Sequence, residues 1–176
     1  MVRDYVRLAT AYHMLSPAKV AVLKDLGDVR TANGWEEFRR GDEANLPYWM
    51  ALGLMREGYV ELRESSVSEA DVGRNLLVER SLRGRDFSNV KERFYVEVRE
   101  LIKKLEEEGT PQSYLRASKL RSSLVDFVRI RLRKMINAAF LSSKPEEMVE
   151  RLLPDERPLF LELANEIQEW VKEVTN

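Results

Sequence analysis

The side chains of this chain that could do chemistry are few, and their spacing suits catalysis poorly. The acidic pairs Glu36-Glu37 and Glu146-Glu147 have the right groups for acid/base work. That work needs a carboxyl whose pKa is shifted by an apolar wall or a close partner, and no apolar run is arranged around either pair. Both pairs read as solvated surface carboxylates. His13 is the single histidine; with no second soft ligand near it, it reads as a helix-face residue rather than a metal ligand. There is no cysteine, which removes disulfides, thiol catalysis and Cys-ligated zinc and fits a reducing cytosol. No phosphate-binding glycine loop, HExxH or GxSxG occurs. The expectation is a non-enzymatic chain with no cofactor and no metal.

Two further groups could bind rather than react. The basic run Arg129, Arg131, Arg133 and Lys134 has three readings: contact with nucleic-acid phosphates, pairing with acids of a neighbouring chain, or pairing with the acidic last helix of its own chain. Stacking aromatics are not interleaved with these bases, which weakens a single-strand groove. Trp35, Phe38, Tyr48 and Trp49 could form a base-stacking surface; the simpler reading makes them the core of a small module with little else to bury.

The elements that must position these residues follow from periodicity. Residues 4–15 place Tyr5, Leu8, Ala9, Tyr12 and Leu15 at helical steps, ended by Ser16-Pro17. Val20 through Leu23 form a short, partly β-branched run. Asn33-Gly34 between Val29-Thr31 and Trp35-Phe38 predicts a two-residue hairpin, because this pair tolerates positive φ. Gly41-Asp42-Glu43 reads as a loop. Leu46-Pro47 then opens a helix with proline in its first turn, where no amide bond is lost. Gly58 stops that helix, and Tyr59-Leu62 reads as a strand. Ser65-Ser66-Val67-Ser68 is the expected linker, with Ser66/Glu69 or Ser68/Asp71 as a capping box.

Helical character then persists. Val72, Leu76 and Leu77 lie on one short helix. Ser88 is the expected cap of the next, whose stripe is Val90, Phe94, Val98, Leu101 and Leu105. A long basic helix over 112–141 carries Leu120, Leu124, Val128, Leu132, Met135 and Ala139, with Val125, Phe127, Ile130, Ile136 and Phe140 on neighbouring faces. Lys144-Pro145 breaks it. A last helix from Asp155 to Val174 turns Leu159, Leu163, Ile167, Trp170 and Val174 inward. The predicted fold class is therefore mostly α: a small α+β domain over 1–64, followed by a larger all-helical bundle over 65–176.

Charge sharpens this division. Net charge is −1, which gives no global pull toward nucleic acid or acidic lipid. Residues 112–141 hold 7 basic groups against the single acid Asp126, and residues 142–176 hold 4 basic and 9 acidic. The last two segments should lie near each other, with a basic face left for a partner. No apolar run approaches the ~20 residues needed to span a bilayer, and no signal-peptide core opens the chain, so the expected location is cytoplasmic and off the membrane. The long helix has more apolar surface than one partner helix can cover. This places the expected partner interface at Leu124, Phe127, Val128, Arg131, Leu132, Met135 and Trp170.

Two segments resemble the GINS family, the accessory tetramer of the archaeal and eukaryotic replicative helicase. Phe38-Arg39-Arg40-Gly41-Asp42-Glu43-Ala44-Asn45-Leu46-Pro47-Tyr48-Trp49, continuing to Leu62, is similar to the small domain of its subunits. Val125 through Ile136, with Leu152-Leu153-Pro154-Asp155-Glu156-Arg157-Pro158-Leu159-Phe160, is similar to a helix pair of its larger domain. The order, small domain first and helical domain second, resembles one archaeal subunit type. The resemblance implies a non-enzymatic replication factor that pairs with a paralogous GINS subunit in a two-plus-two tetramer. It also implies contacts with the MCM helicase and a RecJ-like protein, further contacts with DNA polymerase or primase, and leaves direct DNA contact open. The rival reading of the same residues is a winged-helix transcription regulator, with 46–62 as recognition helix and strand, dimerising through its helical domain. Against it, residues 46–57 contain only Arg56 as a base.

Overall fold

A computed structural model describes residues 2–31, 34–63, 66–141 and 146–175. In chain order the elements are α1 (Val2–Leu15), β1 (Pro17–Val22), β2 (Gly27–Thr31), β3 (Gly34–Phe38), β4 (Glu43–Pro47), α2 (Tyr48–Arg56), β5 (Val60–Leu62), α3 (Glu69–Ser81), α4 (Phe94–Glu107), α5 (Pro111–Leu141), α6 (Glu146–Val149) and α7 (Arg157–Thr175). The fold is mostly α, with a strand-containing N-terminal region and a long helical one after it. The chain divides into two compact units: Leu8–Ser66, and Val67–Asn176 together with the chain up to Arg7. The expected division at 64/65 thus falls two residues early. The division also runs through α1, because Ser16-Pro17 ends a helix there rather than a unit.

In the smaller unit β1 is the centre of a three-stranded antiparallel sheet of order β4-β1-β5. Ala18 and Val20 of β1 and Ala44 and Leu46 of β4 alternate inward, as strand geometry requires when one face is covered. The residues expected to be a loop and a helix start are therefore partly a strand. Leu46 and Pro47 end β4, and Pro47 lies opposite Pro17 at the end of the ladder, where a missing amide costs least. Helix α2 follows directly and buries Tyr48 and Ala51. Its end is a Schellman motif: Gly58 adopts φ +70°, its N–H reaches Met55 at 3.0 Å, and Tyr59 N–H reaches Leu54 at 2.9 Å. The expected hairpin is present as β2–β3, but Gly34, expected at the turn, opens β3 opposite Thr31; Asn33 lies outside the described residues.

The larger unit is a bundle around α5, which at 31 residues extends about 46 Å at 1.5 Å per residue. Ser68 and Asp71 form a reciprocal capping box at the start of α3. Thr110 accepts the Ser113 N–H at 3.0 Å and Pro111 opens α5, a favoured first position. Helices α3, α4 and α7 all pack on α5. One core cluster joins Val72 and Leu76 of α3, Phe94, Val98, Ile102 and Leu105 of α4, Leu120 and Phe127 of α5, and Leu153. A second joins Met135, Ala138 and Ala139 of α5 to Met148, Leu152, Phe160 and Ala164. The expected break at Lys144-Pro145 lies outside the described residues.

The buried stripe of α5 differs from the expected one. Leu120, Met135 and Ala139 of the expected stripe are buried, but the central track runs through Ser113, Ala117, Leu120, Phe127, Arg131, Lys134 and Ala138, with Leu124 half-buried at the intervening turn. These are regular steps of three and four residues. An apolar-only reading leaves that track at Phe127 and drifts through Val128 and Leu132, because the true track passes over two charged residues.

Candidate protein-interaction surface

Those two residues organise the centre of the helical unit. Arg131 is 1% exposed. It grips Glu156 with two parallel bonds, Nε to Oε1 at 2.6 Å and Nη2 to Oε2 at 2.7 Å, the fork geometry that suits guanidinium and carboxylate. Its Nη1 donates to Glu79 Oε2 at 3.0 Å and to the Ser88 carbonyl at 3.3 Å. Lys134 Nζ donates to Glu79 Oε1 at 2.6 Å and to the carbonyls of Glu79 and Asp86 at 2.8 and 2.9 Å. The Ser88 hydroxyl and N–H both donate to Glu79 Oε2. The Tyr95 hydroxyl donates to Glu156 Oε1 at 2.6 Å, and Leu153 N–H to Glu156 Oε2 at 2.9 Å. The guanidinium lies between the rings of Phe87 and Phe127, 4.9 and 5.5 Å from their centroids.

Two cations and two anions cancel, and each carboxylate oxygen has a donor. Burial alone would push the Glu79 carboxyl up, but hydrogen bonds from Lys134 and Ser88 and the charge of Arg131 outweigh it and hold the group below the ordinary carboxylate range. Tyr95 is pushed well above the usual phenol range by burial and by the adjacent Glu156 carboxylate. Burial works against the Arg131 charge, yet Glu156 outweighs it and raises the guanidinium further. The network ties α3, α5 and the turn before α7 into one register. It also shows why Ser88 caps no helix: its polar groups serve Glu79, and α4 begins six residues later at Phe94.

On top of the network lies a largely apolar groove of about 280 Å³, lined by Leu124, Val128, Leu132 and Met135 of α5, Tyr95 and Arg99 of α4, Val6 of α1, and Asp155, Glu156 and Leu159 around the start of α7. Four of the seven expected interface residues therefore meet at one solvent-open feature. Val128 is exposed, and Leu124 and Leu132 are half-buried. Phe127, Arg131 and Met135 are buried within the unit at 3% exposure or less. Phe127 packs on Phe94 at 5.0 Å and Arg131 is consumed by the network, so neither presents a surface in this chain, whereas Met135 lines the groove from below. Trp170 was expected on the inner stripe of the last helix; it is 67% exposed, because among the described residues the core cluster reaches no further along α7 than Ile167.

The basic run is split in the same way. Arg131 and Lys134 pair inside the chain, whereas Arg129 and Arg133 face solvent. The acids they meet are Glu156 and Glu79; Glu156 could be anticipated from the acidic last segment, Glu79 could not. Among the other candidates, His13 is buried on α1 and Tyr48 is core. Phe38 is half-buried, and Trp35 and Trp49 are exposed, so the aromatic set does not form one core. Glu37 pairs with Arg39 at 3.1 Å on the surface. The side chain of Glu146 lies outside the described residues. Among the described residues no group of three or more acids or histidines is placed to hold a metal, and no helix is long and apolar enough to cross a membrane. No family model and no curated protein matches the chain.

Proposed function

We propose that this chain is a non-enzymatic subunit of a GINS-type assembly. It pairs with a paralogous chain in a two-plus-two tetramer and helps to bridge the MCM helicase ring and a RecJ-like protein at the replication fork. The observation that supports this best is the solvent-open apolar groove along α5, at Leu124, Val128 and Leu132. Its walls are held rigid by a buried network with no carboxylate left unpartnered. An apolar groove open to solvent can receive the apolar side chains of a protein partner. The domain order and the two segments similar to GINS subunits suggest the partner's identity.

The test is co-expression of the full chain with the paralogous subunit in which the helical domain comes first. Light scattering should show a stable tetramer with two copies of each. Val128→Glu, which places a charge in the groove, should abolish it while leaving the helical content intact. If the chain runs separately from the paralogue at every concentration, the assignment is wrong. Duplex DNA belongs in the same experiment: strong, salt-sensitive binding by this chain alone would favour the winged-helix regulator instead.

A further inference from the structure

The apolar stripe of α7 outruns the core to which it belongs. Phe160, Leu163, Ala164 and Ile167 pack into the second core cluster. At the same steps of three and four the stripe continues to Trp170 and Val174, which are 67% and 63% exposed. Every described side chain from Gln168 onward is exposed. Glu166 and Glu173 flank this free stretch on one side of the stripe, and Glu169 lies further round on that same side, since residues turn by about 100° each. None of the three has an ion pair with another described residue.

A second face of the same unit has the opposite sign. Val125, Ile136 and Phe140 of α5 are exposed, and steps of four, four, three and four from Val125 pass through Arg129, Arg133, Ile136 and Phe140. This stripe lies on the side of α5 away from Phe127, Arg131, Lys134 and Ala138. Arg129 and Arg133 are exposed and have no partner among the described residues. The chain thus presents an apolar–acidic helix end and an apolar–basic helix face, both uncovered.

We propose that a second copy of this chain covers both. The C-terminal half of α7 from one copy lies on the Val125–Phe140 face of α5 of the other, and twofold symmetry repeats the contact in reverse. Charge complementarity argues for this occupant. The two faces match each other, so one isologous contact desolvates Trp170, Val174, Ile136 and Phe140 and pairs the arginines with the glutamates at once. An unrelated partner would have to offer both signs at matching places. The inference goes beyond the assembly proposed above and does not need it, because it uses neither the groove nor the paralogue.

The test is sedimentation equilibrium of the full chain alone. The wild type should form a dimer that weakens as salt is raised. Arg129→Glu/Arg133→Glu and Glu169→Lys/Glu173→Lys should each be monomeric and folded, because like charges then face one another and weaken association by about a hundredfold or more. Mixed together, the two variants should recover a one-to-one dimer, since each reversed face meets its new complement. Trp170→Ala should weaken the wild-type dimer at least about tenfold without loss of helix. A monomeric wild type, a reversed variant that dimerises as well as the wild type, or a folded pair that fails to combine would each overturn the proposal. None of these results depends on whether the paralogue binds, so the two proposals fail separately.

Discussion

Removing the guanidinium of Arg131 is the sharpest perturbation the structure offers. Arg131→Met keeps much of the apolar stem and its contacts with Phe87 and Phe127, but deletes two bonds to Glu156, one to Glu79 and one to the Ser88 carbonyl. The consequences for the two acids differ. Glu79 retains Lys134 and Ser88, so it keeps a cation. Glu156 retains the Tyr95 hydroxyl and Leu153 N–H but no counter-charge, at 4% exposure. Leaving one charge of a buried pair uncompensated costs about 3–5 kcal/mol, against a total near 5–15 kcal/mol for a typical domain. The double variant Arg131→Met/Glu156→Leu removes the orphan and should recover about 2 kcal/mol or more of that loss. Urea unfolding followed by circular dichroism, with an unchanged m-value, reads both numbers. A single-variant loss below about 1 kcal/mol, or a double variant no better than the single, would refute the claim that this pair is desolvated and mutually dependent.

Acid should act on the same centre. Glu79 is held below its ordinary value of 4.5, so its contribution is complete above that pH and is lost as pH falls through the lower folded value. Unfolding against pH should show this loss below 4.5, and Glu79→Gln should flatten it; an unchanged profile in Glu79→Gln would assign the acid transition to other groups. Trp170→Ala should cost under about 1 kcal/mol when measured at concentrations where the chain is monomeric, since exposed substitutions away from special features stay small. Leu132→Ala, at a half-buried wall of the groove, should cost more. A Trp170→Ala loss of several kcal/mol in the monomer would mean that α7 packs along its whole length.

Much of the architecture was legible because local chemistry and tertiary structure agree. The capping pair Ser68/Asp71, Gly58 at a left-handed helix end and the long α5 all combine a strong local signal with the observed element. The failures occur where tertiary contacts override the local pattern. β4 was hidden because Ala44 and Leu46 alternate over only two inward positions before Tyr48 starts α2. The α5 stripe was misdrawn because a reading that follows apolar residues cannot track one that passes over Arg131 and Lys134. Ser88 looked like a cap because serine so often is one; its partner, Glu79, is nine residues back and inside. The exposed end of α7 could not be read at all, because its stripe keeps perfect helical periodicity after the core beneath it has stopped.

The buried network is better understood as a device for position than for stability. Two compensating ion pairs in a core are worth little more than well-packed apolar residues of the same volume, and sometimes less. What apolar residues lack is direction. Arg131 can satisfy Glu156 and Glu79 together only if α3, α5 and the Leu153–Glu156 turn hold one register, and Tyr95 then brings α4 to the same point through its 2.6 Å bond to Glu156. Tyr95, Glu156, Met135 and Leu132 also line the groove, so the network sets the groove's shape. We therefore predict that replacing Glu79, Arg131, Lys134 and Glu156 together by apolar residues leaves unfolding stability within a few kcal/mol of the wild type but loosens the first turns of α7. Hydrogen exchange at residues 157–163 would report this as lost protection. Full protection there in the quadruple variant would show that Phe160 and Ala164 seat the helix without help from the charges.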